Sequence, residues 1–150
     1  FTEQTSAGEA LGEHAATHAM ENRFPGSQFD VTPLQEGQRG PATFDHVYEV
    51  RDRESGETRV VVVEAKGPSG HLGTRLGFDG VSYQQGHRQY AASVIDAMRN
   101  HGPEGRQLAR DLDAALQTGR LDYYLVRARV DITPDGAEYG GFRMDRFALD

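Results

Sequence analysis

There is no cysteine in the 150-residue chain, which excludes disulfides, thiolate metal sites and cysteine nucleophiles at once. A cysteine-free domain can pass between oxidising and reducing compartments without consequence. No apolar run approaches the roughly 20 residues a membrane span requires, and no signal peptide is visible. The domain itself is therefore not expected to insert into a membrane. Basic residues are outnumbered, with 16 Lys and Arg against 23 Asp and Glu and a formal net charge of −7. That balance argues against broad attraction to polyanions, which comes from basic patches. It leaves room for a site where a bound cation reverses the local sign of clustered carboxylates. Lysine is scarcest of all: Lys66 stands alone, and the other members of the Lys and Arg set are arginines. A single lysine among arginines suggests a task suited to a compact, titratable ammonium.

What is present is ordinary for one globular domain with room for a core, at 37% hydrophobic and 26% charged residues. The chain opens on Phe1 rather than Met. The expectation is a single domain over 1–150, one module cut from a longer protein.

The stretch around which the rest is arranged runs VVVVEAKG, from Val60 to Gly67. Four β-branched residues in a row read as a strand buried on both faces, which normally stays apolar until a turn. This one ends in Glu64 and Lys66 instead. Alternation places those two on one face, about 6.6–6.8 Å apart, with Ala65 pointing the other way. Burying a carboxylate and an ammonium there costs several kcal/mol unless they pair or meet a metal. A structural Glu64–Lys66 salt bridge is the bland alternative.

Upstream, residues 7–22 carry Leu11, Ala15 and Ala19 at a spacing of four, which predicts an amphipathic helix ending before Pro25-Gly26. His14 and His18 lie one turn apart on it. The zinc motif HExxH needs Glu directly after the first His, and here Glu13 precedes it, so a solvated or half-buried helix face competes with a metal clamp. Residues 28–34 read as an edge strand because of Pro33, and 35–41 as a loop. Residues 43–50 alternate, with Phe44, His46, Tyr48 and Val50 on one face and Asp45, Val47 and Glu49 on the other. With the Ser55-Gly56 turn, they form a hairpin with the Val60 strand. A turn centred there sets Asp45 opposite Lys66 and diagonal to Glu64; a register slip of two keeps Asp45 on that face.

Downstream, 67–80 is a glycine-rich loop of functional length. It lacks the lysine of a Walker A loop, so it is expected to cross above the strand ends, with Arg75 placed to touch a phosphate. Helical spacing of Tyr83, His87, Tyr90, Ala91, Val94, Ile95 and Met98 predicts a helix over 81–100 that contains Gly86. A second helix is predicted over 104–118, then a strand over 121–132 with Tyr124, Val126, Ala128, Val130 and Ile132 inward and Arg127 and Arg129 outward. A turn at Thr133–Gly136 leads to a last strand over 139–149. The order α-β-β-β-α-α-β-β implies an α/β (α+β) domain with a mixed sheet flanked by helices.

An aspartate on one strand, Glu-x-Lys ending the next, a glutamate helix before and a glutamine pair after form a layout that resembles the PD-(D/E)xK phosphodiesterase superfamily. Its fold is the restriction-endonuclease-like three-layer fold. Phe44 stands where that motif often has proline. More narrowly, LGE (11 to 13), FDHVYEV (44 to 50), VVVEAKG (61 to 67), LGTR (72 to 75) and YQQGHRQY (83 to 90) are similar to nuclease toxin domains of this type. Those domains end secreted bacterial polymorphic toxins.

The resemblance implies a Mg²⁺-dependent (or Mn²⁺-dependent) endonuclease that hydrolyses DNA in competitor cells. It would leave the producer, act in the target-cell cytoplasm and be held inactive by a dedicated immunity protein. Asp45 and Glu64 would be metal ligands with the Ala65 backbone carbonyl, and Glu13 would join through metal-bound water or a second ion. Hard oxygen donors suit an ion that keeps several waters and activates one of them. Lys66 would orient or deprotonate the attacking water, or stabilise the phosphorane. Gln85, with Gln84, would position the nucleophile or Lys66, and Gln84, Arg75 and Arg88 would bind substrate. His87 and Tyr90 read as packing residues. Two alternatives stand beside this: the same fold acting on RNA such as a tRNA, and a non-catalytic binding module.

Overall fold

The computed structural model describes residues 3–35 and 43–149, with side chains from residue 8 onward. The expected loop over 35–41 lies, apart from Gln35, outside the described residues. Helix α1 (Glu3–Arg23) is followed by strands β1 (Phe29–Gln35), β2 (His46–Asp52) and β3 (Thr58–Lys66). A short ribbon, β4 (Thr74–Leu76) and β5 (Ser82–Gln84), precedes helices α2 (Arg88–Met98) and α3 (Gly102–Gln117). Strands β6 (Leu121–Thr133) and β7 (Gly136–Arg146) close the chain. The ribbon is an addition to the expected order. The main sheet runs β1-β2-β3-β6-β7. It is mixed, because β3 and β6 are parallel while the other neighbours are antiparallel. Proline-bearing β1 lies at an edge, as its composition predicts.

Helices cover both faces, which is why β3 is apolar on each. Val61 and Val63 join Ala15, Ala16, Ala19 and Met20 of α1, while Val62 joins Val94 and Ile95 of α2 and Leu112 of α3. Each fully buried valine contributes about 1.5–3 kcal/mol. The small residues of α1 let it settle close to the end of β3. A Cβ on Gly12 would lie 3.0 Å from the Lys66 carbonyl carbon, and one on Gly67 would lie 2.6 Å from the Gly8 oxygen. Glycines at both positions thus set how near α1 comes to the Glu-x-Lys segment.

Five expectations are corrected. The β2–β3 turn forms one residue earlier than Ser55-Gly56 suggests, because the Asp52 side chain accepts from Glu54 N (2.8 Å) and Ser55 N (3.1 Å) and Asp52 N bonds Glu57 O. His46 therefore lies opposite Val63, and the same register carried one residue on puts Asp45 opposite Glu64, not Lys66. The face is unchanged, since the slip is even. Phe44 precedes the strand and breaks the alternation, packing with Val47 and Tyr123 instead of with Tyr48.

The helix expected over 81–100 begins only at Arg88, capped by His87, whose Nδ1 accepts from Gln89 N at 3.1 Å. Gly86 is the cause: its φ of +96° is a left-handed conformation no helix contains. Gln84 and Gln85 thus precede the helix. In β6, Leu121 to Tyr124 are buried on both faces, whereas Ile132 is 83% exposed. The β6–β7 hairpin runs on past the last β3 pairing at Lys66–Arg127, with α1 still against Tyr139 and Ile132 left uncovered toward the tip. The last strand ends at Arg146, and Phe147 turns inward against Gly86 and Tyr123.

Gly86 carries a prediction. A Cβ there would lie 2.2 Å from the Phe147 ring, on a backbone that alanine adopts poorly. Gly86→Ala is expected to destabilise the domain by about 1–3 kcal/mol, read as a lower midpoint in urea unfolding. An unchanged midpoint would mean that the turn relaxes freely.

Candidate active site

Glu64 and Lys66 leave β3 at its carboxyl end, beside the parallel neighbour β6, and Asp45 enters β2 at the same end. Open α/β sheets place ligands at such ends. Glu64 is 1% exposed. Burial foremost, and then the neighbouring Asp45 carboxylate, holds its carboxyl well above the usual range, while Lys66 and the Tyr123 hydroxyl act the other way. The neighbouring Asp45 carboxylate favours a proton on Glu64, which relieves the repulsion of two charges. Lys66 sits near enough to favour the ionised form but makes no close ion pair with Glu64. The salt-bridge alternative therefore loses its premise. Asp45, Glu64 and Lys66 are brought together on one face.

Asp45 also accepts from Ala65 N at 2.8 Å. Within a strand, the N–H and C=O of one residue point to the same edge. The Ala65 carbonyl thus points toward Asp45, on the side where the paired part of β2 has ended. Two carboxylates and a carbonyl, all hard oxygens, fit an ion that fills its remaining positions with water and phosphate. Among the described residues, no group of three or more His, Cys, Asp or Glu side chains gathers as a fully protein-ligated metal would need.

A chain of hydrogen bonds holds Glu64 from behind. Tyr123 donates its hydroxyl to Glu64 Oε1 at 2.9 Å. Burial and the nearby Glu64 push the Tyr123 phenol well up, which keeps it a donor. The Tyr123 ring is fixed edge-on by Phe147 at 4.9 Å and by Phe44 at 5.6 Å. Tyr90, from α2, closes over the same carboxylates. Its phenol is pushed up to about 12 by burial and by Glu64, with Gln85 nearby.

Other expected site residues fall elsewhere. The Glu13 carboxylate accepts from His46 Nε2, and His46 packs on the α1 face of the sheet with its ring stacked on Tyr48. Glu13 thus meets the strand neighbour of Asp45 across the sheet, not the trio itself. Gln85 accepts from Gly73 N at 2.7 Å and lies near Tyr90, tying the glycine-rich loop to the site. Arg75 lies near Tyr90 and donates to Ser93 Oγ at 3.1 Å. Gln84 is exposed on β5, and Arg88 donates to the Leu149 carbonyl at 3.2 Å. His14 and His18 flank Tyr139, with His18 Nδ1 3.1 Å from its hydroxyl.

Sequence reasoning missed Tyr123, Tyr90 and Arg127. Arg127, expected outward, is the register partner of Lys66 and donates to the carbonyls of Gly67 (3.2 Å) and Gly70 (2.6 Å). It anchors the turn that follows the lysine. The signal for Tyr123 was a phenol inside an apolar run, since a buried hydroxyl needs a partner.

Comparison of the chain with protein-family models, curated proteins and solved structures finds no match.

Proposed function

We propose that the domain is a metal-dependent phosphodiesterase, a nuclease of the restriction-endonuclease-like kind. The observation that carries this reading is the meeting of Asp45, Glu64 and Lys66 at one strand end, with Glu64 buried and held above its usual ionisation range. A buried carboxylate next to a half-buried one, with one ammonium beside them, is poorly satisfied by the chain alone. A divalent cation and a phosphate supply the missing charges.

Asp45, Glu64 and the Ala65 carbonyl would hold Mg²⁺ or Mn²⁺. When bound, the ion supplies charge neutralisation at the phosphate and a more acidic water. The chain's own residues do the rest. Tyr123 fixes the rotamer of Glu64, so the carboxylate needs no reorganisation when the ion arrives. Lys66 would bring its ammonium to the same space, where it would steady the attacking water or the charge that grows on the phosphoryl oxygens. Glu13 acts through His46, bracing the strand that presents Asp45. The preference for DNA, the larger secreted parent and the immunity partner rest on the resemblance of the motifs and belong to the same proposal.

Incubation with Mg²⁺ is expected to degrade linear duplex DNA, and EDTA is expected to stop it. A parallel reaction with tRNA reports the RNA alternative. DNA and tRNA both left intact in Mg²⁺ and in Mn²⁺ would remove the reading and favour the binding module.

A further inference from the structure

Among the described residues, five large hydrophobic side chains stand exposed, and three of them, Leu76 (66%), Phe78 (70%) and Val81 (52%), lie on the β4–β5 ribbon and its turn. A two-stranded ribbon is marginal by itself. This one is pinned at its root. Ser93 donates to the Leu76 carbonyl at 3.0 Å and accepts from Arg75 Nε at 3.1 Å, and Gln85 holds Gly73 at 2.7 Å. The tip is tied as well. Gly77 N bonds Val81 O at 2.8 Å, Val81 N bonds Asp79 Oδ1 at 3.0 Å, and the Tyr83 hydroxyl donates to Asp79. A Cβ on Gly77 would lie 2.7 Å from the Tyr83 ring, so that ring is packed against the turn. Everything around Phe78 is held, while Phe78 itself faces solvent.

The ribbon is continuous with the trio. Arg75 and Tyr83 are register partners on its inner side, and Arg75 bonds Ser93, one helical turn beyond Tyr90, whose phenol feels the charges of Glu64 and Asp45. We infer that the ribbon is the base-binding arm of the site, with Phe78 stacking on an unstacked base of the nucleic-acid strand whose phosphate lies at Asp45 and Glu64. This rests on the phosphodiesterase reading. An exposed aromatic held rigid loses little freedom on binding. Stacking also suits this chain for a reason of charge. With a net charge of −7, affinity for a strand cannot come chiefly from phosphate attraction, whereas base–aromatic stacking is indifferent to net charge and tolerant of sequence. Leu76 and Val81 flank the stacked base and shield it from water.

The test is fluorescence anisotropy of labelled single-stranded DNA in Ca²⁺ buffer, which neutralises the carboxylates, against an abasic strand of equal length. Wild type is expected to prefer the base-bearing strand. Phe78→Ser is expected to weaken that binding about tenfold and leave abasic binding unchanged, and Phe78→Tyr is expected to restore it. Phe78→Ser binding the base-bearing strand like wild type would overturn the inference, and so would wild type binding neither strand; a partner protein would then be the better occupant. Cleavage in Mg²⁺ is scored separately. Base-dependent binding without cleavage sinks the catalytic reading and keeps the arm. Cleavage that is insensitive to Phe78→Ser, with unchanged binding, does the reverse.

Discussion

Replacing Lys66 by alanine is expected to slow DNA cleavage by about 10³-fold and to leave the fold intact. The side chain is only half-buried, at the end of a strand whose register is set by Val60 to Val63. Truncation there removes an ammonium without opening the core. Lys66→Arg is expected to recover little. A planar guanidinium on a different stem cannot occupy the place of a compact ammonium beside Glu64, and this is the one position where the chain uses lysine. Glu64→Gln is expected to lose as much, because it keeps the shape and the bond to Tyr123 while deleting the charge. Initial rates on labelled duplex DNA at saturating Mg²⁺, with circular dichroism on each variant, check both. Wild-type rates in Lys66→Ala would end the assignment of the trio.

The trio was legible in the sequence for a reason that survived an error. The turn forms one residue early, moving the register by two, and an even slip keeps Asp45 on the face of Glu64 and Lys66. Face is a parity property, so it is more robust than pairing. The two-sided burial of β3 was equally legible, since four consecutive valines fit no half-exposed strand. Residues 81–87 were not. Tyr83, His87 and Tyr90 repeat at helical spacing, and nothing local says that Gly86 takes a left-handed conformation. That choice is made by Phe147, which comes from the far end of the chain to fill the space a side chain would need. Tyr123 and Arg127 were missed for a related reason. Their role depends on β6 lying parallel to β3, a pairing across more than fifty residues that leaves no mark in either segment. Glu13 was expected at the metal, but the choice of His46 as its partner is set by the angle at which α1 crosses the sheet, which two close glycine contacts fix.

The buried Glu64 is also expected to make the domain less stable in EDTA than its core allows, and this too is measurable. Burial and Asp45 raise its pKa in the folded chain, so between the ordinary glutamate value, about 4.3, and the raised folded value the native state binds more protons than the unfolded one. Stability conferred by the protonated form is thus complete below that ordinary value and is lost as pH rises toward the folded one. In EDTA, urea unfolding of wild type is expected to show stability falling across that window. Glu64→Gln, which cannot ionise, is expected to flatten this part of the slope and to be more stable at pH 8 by about 1–3 kcal/mol. Divalent ions should reverse the ranking. Mn²⁺ at about 100 times its dissociation constant adds about 2.7 kcal/mol to a protein that binds it only when folded; wild type should gain this and Glu64→Gln little. The variant that has lost catalysis is then the stabler protein in EDTA and the weaker responder in Mn²⁺. A charge that stabilised the fold by itself would give the opposite pair of results. Equal pH slopes in EDTA, with equal responses to Mn²⁺, would show that Glu64 neither strains the apoprotein nor holds an ion.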